Sequence, residues 1–210
     1  MPALPWIPGE LNAALAAWAS AAAALRRPPP GLVGAGLPQL AELARADLSW
    51  WQEIAAGREA LPPAGDSPTD RLLRRRLPEL ARLEATLPEL VFDTAVIHGD
   101  LRLDNILVDR ADMAWICDWT WLCHGPAWFD TASLLVTAYA SGLDADALFA
   151  AHPTSAGAPP GGLDAALAAL SGYWLTRSAA GPTGASPHAQ AHQRFSGETA
   201  LAWLTARQGW

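Results

Sequence analysis

The residues best suited to chemistry lie in one stretch, where the tripeptide His98-Gly99-Asp100 is followed by Asn105 and then by Asp118. Asp100 follows a short apolar run, so it is predicted on a loop that leaves a strand, where a carboxylate can accept a proton from an incoming hydroxyl. Asn105 and Asp118 begin and end a predicted hairpin, which would bring two hard oxygen ligands together. Such ligands suit Mg²⁺ when phosphate and water complete the shell. A base, an Asn and a metal-binding Asp are the parts that phosphoryl transfer in kinases uses.

Short apolar runs predict the strands that would position these residues. The runs at 94–97, 105–108 and 113–117 are rich in β-branched or bulky apolar side chains. The last two flank the turn sequence DRAD at 109–112. A connection of this length commonly joins antiparallel strands, so the pattern predicts a short strand, a loop and then a small β-hairpin.

Helical periodicity surrounds this segment on both sides. The stretch 37–61 holds one or two short helices, and the glycines of Gly31–Gly36 are interpreted as a linker. Ser67 is a predicted N-cap, and Pro78 is expected to kink or divide the helix that follows it to about Leu87. A surface loop is expected over 178–187. Asp144 is a predicted N-cap later in the chain. The remaining predicted helices span 10–26, 128–140, 144–151, 163–177 and 189–207.

The motif is specific even though its single residues are not. An isolated Asp beside a strand is usually a turn former. The spacing H-G-D-x-x-x-x-N, however, is expected by chance on the order of once in several thousand sequences of this composition. The chain has two asparagines, Asn12 and Asn105, and the second occupies the required position.

The stretch HGDLRLDN, with the later ICDW, resembles the catalytic loop and metal motif of the aminoglycoside phosphotransferase family of kinase-like enzymes. The resemblance implies that Asp100 is the catalytic base and that Asn105 and Asp118 are Mg²⁺ ligands. It also implies that His98 supports the loop. Asp130, in the WFD run that opens a helix, would hydrogen-bond the loop from below.

Four further residues are candidates for substrate binding, each with a structural alternative. Arg102 and Asp104 lie inside the loop and either touch substrate or pack locally. His124 follows the metal motif and either contacts substrate or packs within its loop. Trp121 belongs to a group of tryptophans that form either a stacking platform or part of the core. The other members are Trp115, Trp119 and Trp128.

The resemblance implies an α+β, mainly helical fold: the C-terminal lobe of a kinase-like protein with a small β-hairpin at the active site. One lobe is expected over 1–210, with early helices and linkers over 1–92, the catalytic segment over 93–130 and closing helices over 131–210. Kinases of this type also have an N-terminal lobe with a sheet and a strand-borne Lys. That lobe is expected to be absent, either because the gene start lies upstream, because the gene is truncated, or because this is a lone lobe. An uncovered lobe face could then drive self-association.

Composition excludes several other chemistries. Arg supplies all 14 basic side chains, so the chain has no Lys for a Schiff base, a phosphate loop or general-base catalysis. The net charge of −7 argues against nucleic-acid binding. Cys117 and Cys123 have neither a disulfide framework nor a common zinc spacing and are expected to be free thiols. The N-terminal residues lack a signal-peptide pattern and no apolar run is long enough to span a membrane, so a cytoplasmic location is expected.

The expected function is ATP- and Mg²⁺-dependent O-phosphorylation of a small hydroxylated molecule. An aminoglycoside, and hence antibiotic resistance, is favoured because the resemblance implies the substrate that gives the family its name, and because acidic charge suits a polycation. Choline-like, sugar or other antibiotic substrates stay open. The main alternative is a degenerate pseudokinase or binding module that keeps the metal motif; a metal-dependent phosphohydrolase is the weakest candidate. This chain by itself is expected to show weak turnover or none.

Overall fold

The computed structural model describes residues 4–62, 68–179 and 187–210. Ser67 and most of the predicted loop over 178–187 lie outside these ranges. Over the described residues, the helices are α1 (Pro8–Leu25), α2 (Pro30–Val33), α3 (Leu40–Ala46), α4 (Trp50–Ala55), α5 (Pro68–Leu90), α6 (Ala127–Ala140), α7 (Ala145–Ala151), α8 (Gly162–Ala179) and α9 (Pro187–Gln208). The strands are β1 (Val96–Ile97), β2 (Ile106–Val108), β3 (Ala114–Ile116) and β4 (Cys123–His124). The prediction of a mainly helical chain with few short strands is therefore confirmed.

The chain forms two compact units. The first comprises Met1–Glu42 and Leu90–Leu163, and the second comprises Leu43–Glu89 and Asp164–Trp210. All four strands lie in the first unit, together with every residue that the sequence singled out for chemistry. That the whole chain corresponds to a single kinase-like lobe stays a prediction.

The four strands form two small antiparallel pairs. β2 pairs with β3, and Leu107 lies opposite Trp115. β1 pairs with β4, and Ile97 lies opposite Cys123. The strands are shorter than predicted. Asn105 lies in a 3₁₀ turn that immediately precedes β2, so it was wrongly assigned to the strand itself.

The core of the first unit is built around α1 and α6. Buried Trp18 of α1 donates its indole N–H to Thr131 Oγ1 of α6 over 2.9 Å. Trp6 makes the equivalent bond to Thr137 Oγ1, also over 2.9 Å. α6 is buried along nearly its whole length, from Trp128 to Ala138, because most of its side chains are apolar and buried polar ones such as Asp130 and Thr131 make hydrogen bonds. A helix held on every side is a rigid base for the loop that its first turn contacts.

The second unit is organised around the buried Trp51 of α4. Its indole N–H donates to the carbonyl of Ala168 in α8 over 2.8 Å. The carboxylate of Glu84, on α5, accepts from the backbone N–H groups of Trp51 and Gln52. Gly172 lies so close that an added Cβ would be 2.9 Å from the indole nitrogen. A larger residue at this position would therefore displace the tryptophan.

Two predictions about chain breaks can be compared with the structure. α5 continues through Pro78, so the expected division of this helix is wrong, whereas the alternative, a kink at Pro78, stays a prediction. Each interior proline removes one backbone hydrogen bond, and the flanking turns keep the helix continuous. The Gly31–Gly36 linker overlaps α2, a single helical turn that begins at Pro30. Pro is well suited to that first position because its fixed φ is helical and its missing N–H is not needed there.

Three smaller predictions are tested directly. Asp144 caps α7, and its side chain accepts from the backbone N–H of Ala147 over 2.9 Å. Cys117 and Cys123 are both free thiols, as expected. Among the residues that the structure describes, no helix has the length and apolar character needed to cross a bilayer.

Candidate functional site

The loop after β1 turns at Gly99, and its geometry requires glycine. Gly99 has φ +81°, a left-handed conformation that L side chains rarely adopt. An added Cβ would lie 2.2 Å from the carbonyl oxygen of Trp121. The turn therefore depends both on the glycine backbone and on the close approach of the segment that follows β3.

Asp130 supports this loop through its backbone. The fully buried carboxylate accepts from the N–H of His98 over 2.7 Å and from the N–H of Gly99 over 3.0 Å. Burial raises the pKa of Asp130 to about 7, although hydrogen bonds from His98, Gly99 and Leu101 oppose the shift. Because α6 fixes Asp130, the loop is positioned by the most buried helix of the unit.

His98 links the two halves of the site. Its Nε2 lies 2.9 Å from the carbonyl oxygen of Cys117, and its Nδ1 accepts from the N–H of Asp100 over 3.3 Å. A carbonyl only accepts, so Nε2 carries the proton and the ring is neutral. Burial lowers the pKa of His98, which favours the same neutral form. Its ring also lies against Trp119, with centroids 4.7 Å apart.

Asp100 lies at the end of this loop, beside Arg102. The Nε of Arg102 is 3.1 Å from Asp100 Oδ1, and its terminal nitrogen is 3.1 Å from Asp104 Oδ2. Burial raises the pKa of Asp100 to about 6; Arg102 lowers it, and the nearby charges of Asp104 and Asp118 raise it. The structure thus places Arg102 between two loop carboxylates, which favours the local-packing alternative for this residue.

Asn105 is tied to the same loop by its side chain. Its amide nitrogen donates to the backbone carbonyl of Asp100 over 2.7 Å. The bond orients the amide, so that its oxygen is the atom able to act as a metal ligand. The carbonyl of Asn105 also accepts from both the N–H and the thiol of Cys117, at 3.0 and 3.3 Å. These bonds hold the start of β2 against the residue before Asp118.

Asp118 has the left-handed backbone that its position demands. Its φ and ψ are both 59°, a conformation that Asp tolerates better than most residues. The side chain is exposed, and its Oδ1 accepts from the hydroxyl of Thr120 over 2.9 Å. An exposed carboxylate and an oriented amide oxygen fit the hard-ligand chemistry of Mg²⁺. Over the described ranges, no group of three or more His, Cys, Asp or Glu residues could hold a metal by itself. Phosphate and water would therefore have to supply the other ligands.

The remaining candidates have contrasting surroundings. Trp121 is 49% exposed and lies directly beside the Gly99 turn, where it is available to a ligand. His124 lies on β4 and its Nδ1 is 3.1 Å from the carbonyl of Thr94. Trp115 is 60% exposed on the hairpin, whereas Trp128 is buried in α6. The four tryptophans therefore do not form one platform.

Sequence reasoning missed the role of the backbone between β3 and α6. The carbonyl of Trp121 fills the space beside Gly99, and β4 pairs with β1. β4 is only two residues long, so it produces no alternating pattern. The available signal was Gly99 itself, because a glycine between two functional residues indicates a close approach of other backbone.

Comparison with protein-family models shows the family to which this chain belongs. The model of a phosphotransferase enzyme family, APH, matches residues 1–169. The chain therefore belongs to this family of phosphotransferases, whose members act on small molecules and have a kinase-like fold. No curated protein and no solved structure matches the chain.

Proposed function

We propose that this site transfers a phosphoryl group from ATP to the hydroxyl of a small molecule, with Asp100 as the base and Asn105 and Asp118 as Mg²⁺ ligands. The observation that carries the proposal is the 2.7 Å bond from the Asn105 amide to the backbone of Asp100. It joins the proposed base and one proposed ligand in a single loop. Family membership supports the reaction class independently.

The surroundings of Asp100 suit a general base. A carboxyl group whose pKa is about 6 is largely ionised at neutral pH and binds a proton better than an ordinary Asp does. Arg102 holds Oδ1 of Asp100 at 3.1 Å. The N–H of Asp100 bonds to His98, which fixes the backbone on which the carboxylate is carried. Positioning of the substrate hydroxyl, rather than covalent chemistry, would provide most of the rate enhancement.

The Asn105 amide oxygen and the Asp118 carboxylate are the groups that would hold Mg²⁺, and the chemistry supplied by the bound ion would be neutralisation of charge on the triphosphate. This chain's contribution is to hold those two oxygens near the base. The negative charge of Asp118 is one of the causes that raise the pKa of Asp100.

The proposed substrate is a small cationic alcohol of the aminoglycoside type. Asp100, Asp104 and Asp118 together carry three negative charges against the single positive charge of Arg102, and this excess favours a positively charged acceptor. Trp121, exposed beside the loop, offers a face against which a ring or an ammonium group could lie.

A second candidate function is a binding module that holds metal and nucleotide without efficient turnover. The specific observation is that the chain has no Lys, so it offers none to contact the nucleotide phosphates. In the described residues before Val96 there are helices and no strand. We therefore expect the chain by itself to turn over ATP slowly.

The test measures Mg²⁺-dependent ATP turnover with aminoglycosides and with simple amino alcohols as acceptors. Asp100→Asn should remove turnover and keep Mg²⁺-ATP binding by calorimetry, because it loses the base but not the ligands. Asp118→Ala should reduce both. Asp112→Asn is the matched control: Asp112 lies at the exposed hairpin tip, also with positive φ, and should change neither. Binding without turnover in the parent chain supports the module; equal turnover in the parent and both site variants would overturn the assignment.

A further inference from the structure

A cavity lies in the first unit, away from the catalytic loop. It is a half-enclosed pocket of about 340 Å³, a size typical of small-molecule sites. Its walls come from the last turns of α1, the segment before β1, the first turn of α6 and the segment after α7. No residue of the loop over 98–105 lines it. The pocket is therefore not part of the proposed phosphoryl-transfer site.

The interior of this pocket is mainly apolar. Ala19, Ala22 and Ala23 form one side, and their spacing puts them on a single face of α1. The buried indole of Trp128 and the ring of Pro126 also line the pocket. Small methyl groups leave the volume open, while the aromatic ring provides a large contact area.

Two opposite charges also line the pocket. Arg26 ends α1, and Asp93 precedes β1. Neither side chain makes an ion pair with any residue in the described part of the chain. Oδ1 of Asp93 accepts from the N–H groups of Thr94 and Ala95, which fixes the carboxylate in place. The pocket therefore presents one cation and one anion that do not neutralise each other.

Hydrogen bonds hold one wall of the pocket rigid. The Nε2 of His152 donates to the carbonyl of Leu15, so its Nδ1 accepts from the hydroxyl of Thr154 over 2.7 Å. The Thr154 oxygen in turn accepts from the hydroxyl of Thr131 over 2.5 Å. Thr131 accepts from Trp18. Because Thr154 lines the pocket, this chain of bonds fixes the wall before any ligand binds, which lowers the entropy lost on binding.

The geometry points to a binding site for a small zwitterion with an apolar body, of the size and chemistry of an aliphatic amino acid. Its carboxylate would face Arg26, its ammonium group would face Asp93, and its side chain would lie between the α1 alanines and Trp128. A simple anion would be repelled by Asp93 and a simple cation by Arg26. The inference does not depend on the proposed phosphoryl transfer, because the two sites share no lining residue.

Calorimetric titration of the full chain with L-leucine tests the site directly. We expect saturable binding, and at least about tenfold weaker binding of 4-methylpentanoate and 3-methylbutylamine, each of which lacks one charge. Equal binding of all three compounds would overturn the zwitterion assignment. No detectable heat or thermal shift at up to about 20 mM leucine would overturn the site itself.

Substitutions of residues that line the pocket test whether leucine binds there. Arg26→Gln and Asp93→Asn should each weaken leucine at least about tenfold, and the Asn still accepts the two backbone bonds of Asp93. Ala23→Phe, at an exposed position, should fill the pocket and remove binding. Arg27→Gln is the matched control, because Arg27 is exposed and does not line the pocket. If Arg27→Gln weakens binding as much as Arg26→Gln does, leucine binds through nonspecific electrostatic attraction and the proposed zwitterion site is wrong.

Discussion

Two buried carboxylates, one in each unit, each accept hydrogen bonds from two consecutive backbone N–H groups, but with different consequences. Asp130 in the first unit accepts from the N–H groups of His98 and Gly99, and Glu84 in the second unit accepts from those of Trp51 and Gln52. Burial raises the pKa of each to about 7. Both side chains are almost completely inaccessible to solvent.

The difference lies in what each carboxylate holds. Asp130 fixes a loop in which the proposed base, Asp100, directly follows the bonded residues His98 and Gly99. Glu84 fixes the first turn of α4, where Ser49 provides no side-chain cap. A perturbed carboxyl pKa is thus a sign of a buried anchor in both units and of a functional site in only one. The surroundings of the anchored backbone, not the pKa, distinguish them.

The largest expected effect is that of Asp130→Ala. The substitution leaves two buried N–H groups without acceptors, each costing about 1–3 kcal/mol, so we expect a loss of about 4 kcal/mol in the free energy of unfolding. Urea denaturation measures this loss. Hydrogen exchange at Gly99 and Leu101 should accelerate as well, and any Mg²⁺-ATP binding should weaken. A normal exchange rate at Gly99 in this variant would contradict the anchoring role.

Glu84→Ala should be nearly as destabilising and should leave the site intact. Two backbone N–H groups at the start of α4 lose their acceptor, for an expected loss of about 3 kcal/mol by urea denaturation. Exchange should accelerate at Trp51 and Gln52. Mg²⁺-ATP binding, measured under conditions where the variant is folded, should be unchanged; a change as large as that in Asp130→Ala would remove the distinction between the two anchors.

The pH dependence of stability sharpens the same comparison. The folded-state pKa of Glu84 is raised from 4.5 to about 7, so the folded chain binds more protons between these values than the unfolded chain does. Stability from this group is therefore full below about pH 4.5 and is lost as the pH rises to about 7, by an amount on the order of 3 kcal/mol. Asp130 contributes in the same direction.

Glu84→Gln removes the titrating group and keeps one acceptor oxygen. We expect its free energy of unfolding, measured between about pH 5 and pH 8, to fall less steeply with pH than that of the parent chain. Parallel curves for the two proteins would show that burial of Glu84 does not favour its protonated form.

Asp144→Ala should have the smallest effect. Asp144 also accepts a backbone N–H at a helix start, but its side chain is exposed. Water can replace the lost acceptor, so we expect a loss of about 1 kcal/mol in the free energy of unfolding. Thermal denaturation of this variant beside Glu84→Ala separates the contribution of the bond from that of burial. A loss as large as that of Glu84→Ala would mean that burial adds little.

The sequence predicted these three anchors to different degrees. Asp144 was predicted because an N-cap is local: the capping oxygen and its donor are three residues apart. Asp130 was predicted through the family resemblance, since its partners are about thirty residues away. Glu84 was missed, because nothing in the helical pattern of α5 marks one glutamate as buried.

The fold and the site show the same difference: features set by neighbouring residues were predictable, and contacts between distant segments were not. Helix existence and most helix positions were predictable from periodicity, whereas β4 and the close approach of Trp121 to Gly99 depend on pairing between distant segments. The proposed ligands were found by spacing. The position of Arg102 between Asp100 and Asp104 could not be predicted, because a short loop allows the side chain to point either towards substrate or back to its neighbours.

The bonds between Asn105 and Cys117 have a consequence for how relatives of this chain are searched. They close the hairpin at its base, and the tip at Arg110 and Ala111 is exposed. Residues added at the tip would lengthen both strands without separating the two ends. The number of residues between Asn105 and Asp118 can therefore change without separating these two residues, and a search pattern that fixes this interval would discard any protein with a longer tip and the same site.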